Sequence, residues 1–211
     1  MSTIRILIAE DHMIVRSGLK MVLASQFSAL DIMEVDNTVE LLDAIRANDF
    51  DLVIMDIFLR DGNSVSLIDL IKTLKPGCRI LYFTMLPEDT YGKRLMSMGA
   101  AGFLSKKSPD HQVVAAVNEI LNNRIFMSKA LAERIATSAI TDQSLNPFEQ
   151  LSNREFETML MLLEGKSPKD IAQELSIQVS TVGTYKIRLF EKLKVSSLIE
   201  LNKLASAFSI I

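Results

Sequence analysis

Short apolar runs alternate with helical patterns along the first 122 residues. The runs are nearly continuous in apolar residues, a pattern typical of parallel strands covered on both faces. They are IRILIA (4–9), DIMEV (31–35), DLVIMD (51–56), RILYFT (79–84) and AGFLS (101–105). Amphipathic stretches that predict helices lie at 13–26, 38–48, 65–75, 90–98 and 111–122. Five such repeats predict an α/β domain, a doubly wound five-stranded parallel sheet with helices on both sides.

The pattern changes after residue 122. Residues 123–150 hold one helix-like stretch, SKALAERIATSA, and a polar segment with a proline, which is typical of a linker. Residues 151–211 contain no strand-like run. Helical patterns recur there near 153–164, 168–175, 179–193 and 198–208. The sequence therefore predicts an α/β domain at 1–122, a linker with a helix at 123–150, and a small all-α domain at 151–211.

Chemically active side chains stand where the predicted strands end. Glu10 and Asp11 follow the first run, and Asp56 closes the third. Because the carboxyl ends of parallel strands meet at one edge of the sheet, the three acids converge there. Like charges this close require a cation, most simply Mg²⁺. Thr84 ends the fourth run, and Lys106 follows the fifth. Three acids, a cation, a hydroxyl and a lysine together suit a transferred phosphoryl group that one of the carboxylates attacks.

The charge of the helical region is balanced overall but uneven along the chain. From Thr181 to Lys194 there are four basic residues and one acidic residue. This charge fits either a helix lying in the major groove of DNA or a solvated helix face. Val182, Leu189 and Leu193 recur at helical spacing and are predicted to face the core. The predicted outward, DNA-facing set is Thr181, Thr184, Tyr185, Lys186, Arg188 and Lys192.

Composition narrows the class of protein. The chain has 23 basic and 26 acidic side chains, a net charge of −3, so the whole molecule is not a basic nucleic-acid binder. A single cysteine, Cys78, excludes a disulfide framework and suits a reducing compartment. No apolar run approaches the roughly 20 residues that span a bilayer. We therefore expect a cytoplasmic protein without membrane attachment.

Whole motifs carry a resemblance to a known family. AEDHMIVRSGL, DLVIMDIFLRDGNS, YFTM and GAAGFLSKKS resemble the receiver domain of two-component response regulators. The segment LSNREFETMLMLLEGKSPKDIAQELSIQVSTVGTYKIRLFEKLKV resembles the LuxR-type helix-turn-helix. In this order the two are similar to the NarL/FixJ family of response regulators.

The resemblance implies roles for residues in the first domain. Asp56 would be the phosphoacceptor, and Glu10, Asp11, Asp56 and the backbone carbonyl of Phe58 would hold Mg²⁺. A histidine kinase would donate the phosphoryl group. The protein would be a phosphoprotein that slowly loses this group and is not a multiple-turnover enzyme.

The resemblance also implies how the signal passes to the second domain. Thr84 would be the switch hydroxyl, Lys106 the phosphate-pairing lysine and Phe103 the aromatic that changes rotamer. The activated protein would form a homodimer, bind double-stranded DNA and regulate transcription.

Several positions depart from the family pattern. Arg60 stands where proline is usual, and Ser64 where glycine is common. In the predicted DNA-facing helix, Gly183 and Tyr185 replace a lysine and a histidine, and Gln178 replaces the usual capping serine. These changes predict altered base readout, with a weakened DNA domain as the alternative. Two other functions stay open, a Mg²⁺-dependent phosphohydrolase that uses Asp56 covalently, and a binding module that works without phosphorylation.

Overall fold

The structure is a computed structural model that describes residues 3–140, 146–208 and 210, and it divides into two compact units, Met1–Ala132 and Glu133–Ile211. The first unit alternates strands and helices. They are β1 (Ile4–Ala9), α1 (Met13–Gln26), β2 (Leu30–Val35), α2 (Thr38–Ala47), β3 (Leu52–Met55), α3 (Ile68–Leu74), β4 (Ile80–Thr84), α4 (Glu88–Ser97), β5 (Gly102–Ser105) and α5 (Asp110–Leu121). A two-residue antiparallel pair, Phe58–Leu59 with Gly62–Asn63, and a 3₁₀ turn at Val65–Leu67 lie between β3 and α3.

The five main strands form one parallel sheet in the order β2-β1-β3-β4-β5. The predicted doubly wound α/β fold is therefore confirmed. Strands β3 and β4 are buried along their whole length, as their continuous apolar runs predict. Strand β2 differs from the expectation that both faces are covered, because Asp31, Met33 and Glu34 are exposed. It is the edge strand of the sheet, so part of it faces solvent.

The order of the strands determines where a ligand can bind. The chain leaves β1 for the edge strand β2 and then returns to the other side of β1 with β3. In sheets of this kind the crevice for ligands lies outside the carboxyl ends of the strands, where the order reverses. Ala9 and Met55, the last residues of β1 and β3, are paired in register. The residues that follow them therefore begin side by side at the edge of this crevice.

One face and one edge of the sheet are covered by different elements. Helices α1 and α5 cover one face, where Leu19, Leu23, Val113 and Ile120 join the apolar core of β1, β3 and β4. The edge strand β5 is covered by the following segment, because Gly102 forms a parallel bridge with Phe126. The crevice for ligands lies elsewhere, at the carboxyl ends of the strands.

The second unit is helical, as predicted. After a 3₁₀ turn at Pro147–Gln150 it contains α7 (Asn153–Leu163), α8 (Pro168–Glu174), α9 (Val179–Leu193) and α10 (Leu198–Ala207). Ser152 and Ser167 cap α7 and α8 in capping boxes. Among the described residues, Gln178 gives α9 no side-chain cap. Lys194 ends α9 in the left-handed conformation, with φ 56°.

Helix α6 (Lys129–Ile140) lies within the predicted linker 123–150 and crosses the boundary between the two compact units. Residues 141–145, which the linker prediction includes, lie outside the described residues. None of the helices in the described part of the chain is long and apolar enough to cross a bilayer.

Candidate functional site

Four of the residues predicted from strand ends meet at the carboxyl edge of the sheet. Glu10 and Asp11 follow β1, Asp56 follows β3, and Lys106 follows β5. The Lys106 Nζ lies 2.6 Å from Glu10 Oε2 and 2.6 Å from Asp56 Oδ2. Glu10 and Asp56 are 1% and 7% exposed. One ammonium group therefore bridges two buried carboxylates from neighbouring strands.

The electrostatics of Lys106 reflect this position. Burial alone lowers the pKa of its ammonium group, but the hydrogen bonds and charges of Asp56 and Glu10 outweigh burial and raise the pKa above its ordinary 10.5. Lys106 therefore stays charged. Asp11 lies in the same group, with its Oδ1 2.7 Å from His12 Nδ1, and we call Glu10, Asp11, Asp56 and Lys106 the acidic cluster.

The donor set fits a hard cation. Glu10, Asp11, His12 and Asp56 each offer one ligand atom, and these atoms lie within 4.8 Å of one another. Glu10 Oε2 and Asp11 Oδ1 are both buried, the first beside Lys106 Nζ and the second 2.7 Å from His12 Nδ1. Carboxylate and carbonyl oxygens are the ligands that Mg²⁺ prefers. Phe58, whose carbonyl the sequence adds to this set, lies two residues after Asp56 in the short antiparallel pair.

The backbone of Asp56 is held by a residue that the sequence analysis left out of the site. The Ser64 hydroxyl, fully buried, donates to the Asp56 carbonyl at 2.6 Å. The Tyr82 hydroxyl donates to the Ser64 carbonyl at 3.3 Å, and the Ile57 N–H donates to Asp56 Oδ1 at 2.6 Å. The only feature of the sequence that pointed to Ser64 was that it stands where the family commonly has glycine. The structure gives that serine a partner in the acidic cluster.

Two arginines also support the crevice. Arg60 Nη2 lies 2.9 Å from Asp36 Oδ1, so the loop after Asp56 is tied to the end of β2. The Arg60 backbone N–H donates to the Asp36 carbonyl as well, a bond that proline in this position would lack. On α1, the Arg16 guanidinium donates to the Glu10 carbonyl. Neither arginine was predicted as part of the site.

Thr84 and Phe103 occupy buried positions on β4 and β5. Thr84 pairs with Ser105 in register and is 1% exposed. The backbone N–H of Lys106 donates to the Thr84 carbonyl at 2.9 Å, which joins the lysine to the end of β4. Phe103 is 2% exposed and pairs with Tyr82. The two residues therefore lie on adjacent strands that lead to the acidic cluster.

The predicted DNA-facing set on α9 is not uniform in exposure. Thr184 and Arg188 are exposed, whereas Thr181, Tyr185 and Lys186 are half-buried. The structure gives Lys192 a partner within the unit, because its Nζ lies 2.6 Å from Glu155 Oε2 at the start of α7.

That ion pair also affects the glutamate. Burial raises the pKa of Glu155, but hydrogen bonds from Lys192 and Ser152 outweigh burial and hold it below its ordinary 4.5.

Ile187 is one of the exposed α9 residues that the predicted set left out, together with Val179, Ser180 and Glu191. Ile187 is 61% exposed. The predicted set omitted it because its members were chosen for charge and hydrogen-bonding capacity. Val182, Leu189 and Leu193 are buried as predicted. The signal available in the sequence was helical spacing, which places Ile187 away from those three core residues.

Comparisons with known proteins agree with both units. Residues 6–118 match the response regulator receiver domain, and residues 149–205 match the bacterial regulatory proteins of the luxR family. The response regulator UvrY of Escherichia coli K12 is 28% identical over 203 residues, which cover 96% of this chain and 93% of UvrY. BvgA of Bordetella pertussis, named as a transcription regulator of virulence factors, is 32% identical over 203 residues, which cover 95% of this chain and 96% of BvgA.

A solved structure shares the fold of the whole chain. RcsB from Salmonella enterica serovar Typhimurium, bound to promoter rprA in the presence of the phosphomimetic BeF₃⁻, superposes with a TM-score of 0.78 at 22% identity. The match covers 97% of this chain and 99% of the RcsB chain.

Proposed function

The chain belongs to the NarL/FixJ family of two-component response regulators, DNA-binding transcription regulators that join a receiver domain to a LuxR-type helix-turn-helix domain. From this premise we propose that Asp56 accepts a phosphoryl group from a histidine kinase and that this change controls DNA binding by the second unit. The observation that carries the proposal is the contact of Lys106 with both Asp56 and Glu10 in a cluster of three carboxylates.

The chemical step needs one nucleophile and several positive charges. An ionised oxygen of Asp56 attacks the phosphorus atom, and the bond from phosphorus to the donor breaks with its electron pair left on the donor. Lys106 pairs with the oxygens of the arriving group, since it already lies within 2.6 Å of an Asp56 oxygen. Ser64 and the Ile57 N–H hold the Asp56 peptide and carboxylate in place during attack. These residues therefore bind the phosphoryl group, orient Asp56 for attack and neutralise negative charge.

The acidic residues would also hold the cofactor. Glu10, Asp11, Asp56 and the Phe58 carbonyl would bind Mg²⁺, and the convergence of three carboxylates whose ligand atoms lie within 4.8 Å of one another supports this. Bound Mg²⁺ would neutralise the negative charge of the phosphoryl oxygens. An apolar Phe58 stands where a phosphohydrolase would need an acid for its leaving group, which favours the regulator over that alternative.

The phosphoryl group adds about 1.5–2 negative charges to the crevice. We propose that Thr84 and Lys106 move toward this charge and that Phe103 fills the space behind Thr84. The surface near α4 and β5 changes as a result, and the protein forms a homodimer. A change from 1:99 to 99:1 in the active state needs about 5.5 kcal/mol of differential stabilisation.

The aspartyl phosphate is expected to be long-lived. Phe58 and Leu86, two residues beyond Asp56 and Thr84, are apolar and have no group that orients an attacking water. Water positioning and base catalysis are typically worth about 10²–10⁴-fold in rate. Intact mass after removal of the donor measures the lifetime, and Phe58→Asn with Leu86→Lys is expected to shorten it. Decay of the wild-type phosphate within seconds contradicts this proposal.

The second unit would bind double-stranded DNA through α9. We propose that the protein acts in the cytoplasm. We retain Thr181, Thr184, Tyr185, Lys186 and Arg188 as proposed contacts. Lys192 we assign to holding α9 against α7 through Glu155. A two-fold dimer would read an inverted repeat whose half-sites lie about 10 bp apart, or a multiple of that spacing.

Intact mass spectrometry tests the phosphoacceptor. The full chain is treated with a small acyl phosphate and Mg²⁺, and the mass of one added phosphoryl group is expected on wild type. Asp56→Asn keeps the shape of the side chain and is expected to show no added mass. Asp61→Asn is the matched control, because Asp61 receives hydrogen bonds from Thr38 outside the cluster and is expected to label normally. Normal labelling of Asp56→Asn would place the site elsewhere.

A further inference from the structure

The face of α9 opposite its buried residues carries an exposed apolar side chain near its middle, beside the exposed Arg188. With 3.6 residues per turn, Thr184 and Ile187 lie one turn apart on this face, away from Val182 and Leu189. Ile187 is 61% exposed. A singly exposed apolar side chain is common on protein surfaces, so exposure alone says nothing of function. Ile187, however, lies on the helix that the family uses to read DNA, so its exposed side chain is placed where it can contact a base.

The neighbours of Ile187 on the N-terminal side leave its side chain accessible. The Thr184 hydroxyl donates to the Ser180 carbonyl at 3.1 Å, so its hydrogen is used within the helix. Gly183 has no side chain, and apart from its chain neighbours and the backbone of its own helix no heavy atom in the described part of the chain lies within 4 Å of the position that a Cβ would occupy. Ile187 therefore projects beside an open position, one turn beyond Gly183, with no bulky side chain shielding it there.

Charge defines the other end of this surface. Glu191 is exposed one turn after Ile187, and its carboxylate is repelled by DNA phosphates. Helices of this kind contact base edges through their N-terminal residues. The surface proposed to face the groove therefore lies before Glu191, with Ile187 between the open position at Gly183 and the exposed Arg188.

Resting on the proposed binding of DNA, we infer that Ile187 is a specificity-determining residue that packs against the 5-methyl group of thymine in the major groove. The thymine methyl is the apolar group that the major groove offers, whereas the other base edges present donors and acceptors. An isoleucine placed on those polar edges removes their water without replacing its hydrogen bonds, which is unfavourable. The thymine methyl gains apolar contact instead.

Replacement of thymine by uracil tests this inference, because it removes the methyl group and keeps the base pair. A DNA site is first selected with the phosphorylated full chain, and each thymine is then replaced singly while affinity is measured by fluorescence anisotropy. At one thymine per half-site, uracil is expected to weaken wild-type binding about 4-fold, the value of one buried methyl-sized group. Ile187→Ala is expected to bind thymine and uracil there equally, with an unchanged salt dependence because no phosphate contact is lost.

Two further variants make the result specific. Ile187→Val keeps the branched side chain and is expected to retain most of the preference for thymine. Ile125→Ala makes the same truncation at a residue of the first unit with 63% exposure and is expected to retain the full preference. Tolerance of uracil at every position by wild type, or an unchanged preference in Ile187→Ala, overturns the inference. Failure of wild type to select any DNA sequence instead overturns the proposed function, and the inference with it.

Discussion

Replacement of Lys106 by methionine is expected to destabilise the first unit, and Mg²⁺ is expected to offset much of the loss. Methionine is unbranched and uncharged, so the variant removes the ammonium that lies 2.6 Å from both Glu10 and Asp56. The ligand atoms of the acidic cluster lie within 4.8 Å of one another. At an effective dielectric constant of about 20, two unit charges at that separation repel by roughly 3–4 kcal/mol.

The expected size of the effect follows from burial. The side chains of Lys106, Glu10 and Asp56 are 7%, 2% and 9% exposed, so solvent screens the interactions little. Removal of one partner from a buried ion pair typically costs about 3–5 kcal/mol, which is the loss we expect in EDTA. The proposed Mg²⁺ would bind carboxylates that Lys106 already contacts, so the two cations are expected to compete. The variant is therefore expected to bind Mg²⁺ more tightly than wild type and to gain more stability from it.

Urea unfolding followed by tyrosine emission is a suitable assay, because the chain has no tryptophan. In a Tyr185→Phe background the two remaining tyrosines, Tyr82 and Tyr91, are both fully buried in the first unit and report on it. Lys107→Met makes the same charge change at an exposed neighbour and is expected to stay within about 0.5 kcal/mol of wild type. Equal stability of Lys106→Met and this control in EDTA, or an equal gain from Mg²⁺ in Lys106→Met and wild type, would refute the reasoning.

Three other substitutions test the surroundings of the two sites. Gly102→Ala is expected to lower the free energy of unfolding by about 1–3 kcal/mol, because the new Cβ meets the Phe126 carbonyl oxygen at 2.9 Å; unchanged urea unfolding would contradict this. Ser64→Ala removes the donor to the Asp56 carbonyl and is expected to cost about 1–3 kcal/mol in the same assay, with no loss meaning that the bond is dispensable. The lowered pKa of Glu155 means that its ionised form stabilises the second unit fully above the ordinary pKa, and that this stability is lost as pH falls through the lowered value. Glu155→Gln is therefore expected to remove part of the acid sensitivity seen in circular dichroism melts, and identical pH profiles for the variant and wild type would rule this out.

The elements most faithfully predicted are those with a strong local pattern. The run at 4–9 coincides with β1, and the amphipathic stretch at 13–26 coincides with α1. The stretch predicted as one helix at 65–75 is a 3₁₀ turn followed by α3. Helix α4 begins two residues before its predicted start, because its first turn is acidic and carries no apolar periodicity. Periodicity thus predicts the existence of elements better than their ends.

The acidic cluster was predictable because topology alone brings its members together. Strand ends of a parallel sheet meet at one edge, so Glu10, Asp56 and Lys106 needed no knowledge of side-chain conformation. The partners of Arg60 and Ser64 depend on the path of the loop after Asp56, which no periodicity describes.

On α9, helical spacing placed Lys192 on the outward side. Its ion pair with Glu155, 37 residues earlier in the chain, requires the packing of α7 on α9. Long-range contacts of polar side chains are the part of the site that the sequence left undetermined.

Affinity for a selected DNA site, measured before and after treatment with acyl phosphate and Mg²⁺, tests the central claim most directly. Wild type and Asp56→Asn are compared, with the degree of phosphorylation determined by intact mass on the same samples. The account predicts that treatment changes the affinity of wild type in proportion to the phosphorylated fraction and leaves Asp56→Asn unchanged. Equal DNA affinity of fully phosphorylated and unphosphorylated wild type would contradict it, and would identify a DNA-binding module that works without phosphorylation.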